Sequence, residues 1–188
     1  HSLDKFTPAS CGVSHAPSPF FNAEHEHNET PDHQTSSRAC KVVQIALADD
    51  HEMYTEYGSV SAVEDHNMAV INDVETNYDF EFSDDLQFSI VEIYVATTES
   101  EDPWTNSTNI NQVLNDFTDW GPTGFSNTHD VAGLWSARQF NGDVIGLAWL
   151  NAVCTSVRYH VMEDWSSDAD MLRVLQAHEM GHNFGANH

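Results

Sequence analysis

The run Asp168 to His188, DADMLRVLQAHEMGHNFGANH, carries both a fold signal and a chemical one. Up to Phe184 it reads as a helix, with Met171, Leu172, Val174, Leu175 and Met180 as its apolar side. Within it stands H-E-x-x-H-x-x-G-x-x-H, formed by His178, Glu179, His182, Gly185 and His188. Residues four apart on a helix lie about 40° apart around the axis and about 6 Å along it. Two imidazoles so placed reach one metal at about 2.0–2.1 Å each. Glu179 sits about 100° further round, beside a metal-bound water rather than on the metal. Gly185 permits a left-handed backbone that ends the helix and turns His188 back as a third nitrogen ligand. Three protein ligands leave one position open for water, the pattern of a catalytic rather than a structural Zn2+ site. The expected chemistry is amide hydrolysis without a covalent intermediate, with Glu179 as general base.

Working outward, Lys41–Ala48 is an apolar run suited to a buried strand. Val60, Val63, Asn67, Val70, Ile71 and Val74 recur at helical spacing, so 59–77 reads as a helix with these residues inward. Leu86–Ala96 alternates, then slips phase between Ile90 and Val91, which predicts a strand with a bulge. A second helix is expected over 107–120. Two strands, 131–140 and 143–153, are expected to join through the tight turn Asn141-Gly142, and a short strand follows at 159–162. The alternation predicts an α/β domain with a mostly parallel sheet packed by helices. Residues 1–38 are rich in Pro, Ser, His and Glu and lack periodicity, so they read as a loop or extended segment.

Composition limits what the chain can do. Six Lys and Arg against thirty Asp and Glu give a net charge of −24, which repels phosphate backbones and excludes nucleic acid as a partner. The longest apolar run, Val144 to Leu150, is far short of the ~18 residues a membrane span needs. Two N-x-S/T sequons, at Asn28 and Asn106, fit a secreted or extracellular protein.

The zinc motif resembles that of the metzincin endopeptidases, and the wider chain resembles the ADAM/reprolysin branch, nearest its sheddase-like members. The resemblance is carried by Arg38–Val43 with Ala48-Asp49-Asp50-His51, by His129-Asp130-Val131-Ala132, and by Phe140–Trp149. It implies a metzincin-like N-terminal subdomain, mostly parallel and twisted, with an antiparallel edge strand and the active-site helix. It also implies that a peptide or protein substrate pairs antiparallel with that edge at Gly146, Leu147, Ala148 and Trp149. An exposed edge offers unpaired N–H and C=O groups for this. The implied domains are 1–38, propeptide-like, and 39–188, catalytic, with the C-terminal subdomain missing and further C-terminal domains in the parent protein.

Cys11-Gly12-Val13-Ser14 resembles the family's cysteine switch, in which a propeptide thiolate takes the zinc position of the catalytic water. A Cys11–Cys40 disulfide is the alternative. The dibasic processing signal common in the family is absent near Arg38. Relatives pair the equivalent of Cys154 with a cysteine beyond the zinc helix. Gln44 stands where many carry a calcium-binding glutamate, so calcium is not expected there. His25, His27 and His33 could form a second metal site. Besides the enzyme, two readings stand: a silent acidic binding module that keeps the fold, and an autoinhibited precursor.

Overall fold

The computed structural model describes residues 10–14, 41–82, 86–104 and 106–188. Its strands are β1 (Ser10–Ser14), β2 (Lys41–Asp49), β3 (Leu86–Val95), β4 (Val131–Ser136), β5 (Val144–Trp149) and β6 (Tyr159–Glu163). Its α-helices are α1 (His51–Tyr57), α2 (Val60–Phe82), α3 (Ile110–Gly124) and α4 (Ala169–Asn183). The strands form one sheet in the order β1-β5-β6-β4-β2-β3. All neighbours are parallel except β5 with β6. This is the expected α/β architecture with one antiparallel strand toward its margin.

Period-two alternation along the central strands feeds two cores. Ala46, Ala48, Leu134, Tyr159 and Val161 face α3 and join Val113, Leu114 and Phe117. Val43, Ile45, Leu47, Trp135 and Met162 face α2 and α4 and join Val70, Val74, Leu172, Leu175 and Met180. The phase slip in β3 is a bulge: Ile45 pairs with Ile90, but Ala46 pairs with Glu92, leaving Val91 as the extra residue.

Two expectations are corrected, and one helix is new. β4 and β5 do not form a hairpin through Asn141-Gly142, because β6 lies between them. Gly142 does turn the chain, at φ +80, but the link skips one strand position. α1 was not expected over 51–57. It is short, capped by the Asp50 carboxylate accepting from the Met53 N–H at 2.9 Å, and stopped by left-handed Gly58. Val60 and Val174, expected on inward faces, are exposed. Asn67 is buried as expected because its amide donates to Asp49 at 2.7 Å.

Candidate metal centre

Helix α4 starts at Asp168, whose carboxylate accepts from the Asp170 N–H at 3.0 Å. It ends in a Schellman turn. The Ala186 N–H reaches the Gly181 carbonyl and the Gly185 N–H reaches the His182 carbonyl, each at 2.9 Å. Gly185 has φ +100, the left-handed conformation this turn requires. The turn orients the Ala186 carbonyl, which lies 2.7 Å from His182 Nδ1. That contact places the ring proton on Nδ1 and leaves the His182 Nε2 lone pair available to a metal.

The same turn returns the chain so that His188 faces the helix. His178 Nε2 lies 3.0 Å from His182 Nε2 and 3.2 Å from His188 Nε2. Among the described residues this trio is the one cluster of His, Cys, Asp or Glu arranged to hold an ion. Its donor set is three imidazole nitrogens on a common point, a set that suits zinc. His178 is held below the usual histidine pKa by burial and by the two neighbouring rings, so its neutral, ligating form is favoured.

Glu179, one residue on from His178, is fully buried against β5. Its carboxylate packs on the Gly146 backbone so closely that a Cβ on Gly146 would collide with it. Gly146 is therefore glycine for space rather than for backbone conformation. Along β5, Leu147 packs in the α3-side core and Ala148 is fully buried. The Trp149 indole N–H donates to Thr118 Oγ1 on α3 at 2.8 Å. What β5 offers outward is its backbone, and β1 occupies that edge in parallel, with Cys11 opposite Gly146 and Gly12 opposite Leu147.

A buried polar chain behind the helix escaped the sequence reading. His160 Nδ1 meets Asn183 Oδ1 at 2.7 Å, and His160 Nε2 meets the Gln176 amide nitrogen at 2.9 Å. Asn183 also donates to the Trp149 carbonyl at 2.9 Å and the Tyr159 carbonyl at 3.2 Å. A signal existed: Gln176 and Asn183 are seven residues apart, hence two turns apart on the face that carries Leu172 and Met180.

Cys40, His25, His27 and His33 lie outside the described residues, so the disulfide and the second metal site read from them do too. Cys154 is an exposed free thiol, its Sγ 3.3 Å from Asp130 Oδ1. Gln44 meets Asp130 through its backbone, donating to the carboxylate at 2.9 Å. Asn106 of the second sequon is exposed. Among the described residues no helix is long and apolar enough to cross a membrane.

The Reprolysin_5 model, metallo-peptidase family M12, matches residues 36–188. The chain belongs to this family of reprolysin-type metallopeptidases, which are zinc-dependent proteases. It is similar to a zinc metalloproteinase, recombinant fibrinogenase II, of Deinagkistrodon acutus. The two are 30% identical over 169 residues, covering 88% of this chain and 70% of that protein. Among solved structures, a chain from a study titled "Structure of a chaperone-substrate complex" matches with a TM-score of 0.60 at 16% identity. That match covers 78% of this chain and 23% of the other, and it shows a shared fold.

Proposed function

We propose that this chain is the catalytic part of a secreted zinc endopeptidase, held as a precursor by its own N-terminal segment. The observation that carries the reading is the meeting of three imidazole nitrogens at one end of α4, with the Glu179 carboxylate one residue on and packed against β5.

In this reading His178, His182 and His188 hold Zn2+. Bound there, zinc would acidify a water and stabilise negative charge developing on a peptide carbonyl. Glu179 takes the proton from the attacking water as the C–O bond forms. It passes that proton to the leaving nitrogen as the C–N bond breaks. Its burial against Gly146 fixes where that proton transfer occurs. Gly146, Leu147, Ala148 and Trp149 bind an extended substrate through the β5 backbone, since their side chains are largely committed to the interior or to α3. Gly185 serves as the turn that delivers His188.

β1 favours the precursor state over the silent binding module. It pairs with the β5 edge that a substrate strand needs, so the two exclude one another. Cys11 falls opposite Gly146, the glycine that touches Glu179, and this register supports the reading of C-G-V-S as the switch segment. Residues 1–38 then act as propeptide and 39–188 as catalytic domain, with Cys11 as the switch ligand.

The test is hydrolysis of a quenched-fluorescent peptide by zinc-replete protein, before and after thiol modification of Cys11. Turnover that rises on modification and vanishes with a chelator supports the reading. Bound zinc with no hydrolysis after modification contradicts it and favours the binding module.

A further inference from the structure

Helix α4 carries its zinc histidines and the pair Gln176 and Asn183 on different faces. Measured from Gln176, His178 lies about 200° and His182 about 240° around the axis. Asn183 returns to about 340°, nearly the same face as Gln176. Gln176, His160 and Asn183 are all buried. Polar groups here are costly unless satisfied, and a small rotation of the helix would unmake their bonds.

The hydrogen bonds run in one direction. Asn183 uses both amide hydrogens on the Trp149 and Tyr159 carbonyls. Its Oδ1 must then accept, so His160 donates from Nδ1. Neutral His160 accepts at Nε2, and the Gln176 amide supplies that hydrogen. The chain ties two points of α4, two turns apart, to β6 and to the end of β5. Gly133 on β4 makes room for it, since a Cβ there would run into His160 Nε2. Burial holds the His160 pKa down at about 4, which keeps the neutral form that this pattern needs.

We propose that the Gln176–His160–Asn183 chain is a positioning device that fixes the rotation of α4, and so aims His178 and His182 at the metal and keeps Glu179 beside it. The proposal rests on the zinc reading above. An apolar core of the same shape would hold the helix without specifying its rotation. The polar chain admits one rotation only.

The test uses Gln176→Met, which keeps length and removes the donor, and His160→Phe, which keeps a ring and removes both bonds, singly and combined. Zinc affinity is measured by chelator competition, and melting temperature is measured with and without zinc. Positioning predicts zinc binding weakened about 10–100-fold in the double variant, the scale seen when partners of metal ligands are lost. The zinc-induced rise in Tm should shrink accordingly, while the metal-free Tm changes less. kcat should fall with KM nearly unchanged. If His160→Phe does not fold, Gln176→Met alone carries the test, with a smaller shift in the same direction. Wild-type zinc affinity in the variants, with Tm lowered equally in both forms, would show a merely structural role and overturn the proposal. A wild-type chain that binds no zinc at all would overturn the zinc reading itself, and the proposal with it.

Discussion

The two faces of the sheet are built on different principles. The α3 face is closed by rings: Trp104, Phe117, Trp120, Phe125 and Tyr159 contact one another at centroid separations of 5.0–6.1 Å. The α4 face buries apolar side chains too, but among them lie Gln176, Glu179, His182, Asn183 and His160. Aromatic burial stabilises without directional demand, whereas buried polar groups stabilise only in one arrangement. One face therefore supplies stability, and the other accepts a cost in order to hold a geometry.

The sharpest way to break this comparison is Glu179→Ala. Turnover should drop about 10²–10⁴-fold, the usual contribution of a positioned acid–base group. Zinc content and melting temperature should stay close to wild type. A variant with full turnover would remove Glu179 from the chemistry. On the opposite face, Phe117→Ala should lower unfolding free energy by about 3–5 kcal/mol in denaturant titration. The folded fraction should bind zinc with unchanged affinity, and a zinc affinity that fell as well would mean the faces are not separable.

Gly146→Ala sharpens the division further. The added methyl meets the Glu179 carboxylate, so stability should fall by about 1–3 kcal/mol. Turnover should fall while zinc stays bound. Unaltered kinetics would show that Glu179 is free to move. The smallest effect expected is one of pH. His160 titrates near 6.5 unfolded and at about 4 folded. Between these values the unfolded chain binds more protons, so this group's contribution is complete above pH 6.5 and is lost as pH falls toward 4. Asp50, raised to about 6 chiefly by burial, acts in the opposite sense, gaining stability as pH falls. Comparing wild type with His160→Phe cancels the Asp50 contribution. Between pH 6.5 and 5 the wild type should lose about 1–2 kcal/mol more than the variant. Equal losses would mean that His160 is not held neutral.

The sequence shows the α4 side of this story better than its neighbours. The His178–His188 spacing is a local pattern, complete within eleven residues, and a helix plus one glycine turn is enough to convert it into converging nitrogens. The bulge in β3 was readable for the same reason, as a slip of side-chain phase within one strand. Strand neighbours are a different matter. Asn141-Gly142 supplies a turn, but whether β5 pairs with β4 depends on where β6 inserts, and nothing local to residues 131–153 encodes that. α1 was hidden by its seven-residue length, although Asp50 and Gly58 bracket it as cap and stop. His160 gave no sign of its partners because they stand sixteen and twenty-three residues away, on a helix that must dock before the bonds exist.

Central to the account is that His178, His182 and His188 share one zinc ion. X-ray absorption at the zinc edge, on purified metal-replete chain and on His182→Ala, tests this most directly. The account predicts one zinc per wild-type chain, with three imidazole nitrogens at about 2.0–2.1 Å and the Cys11 sulfur at about 2.3 Å, and loss of this signature in the variant. Zinc absent from the wild type, or retained with unchanged coordination in His182→Ala, would contradict it.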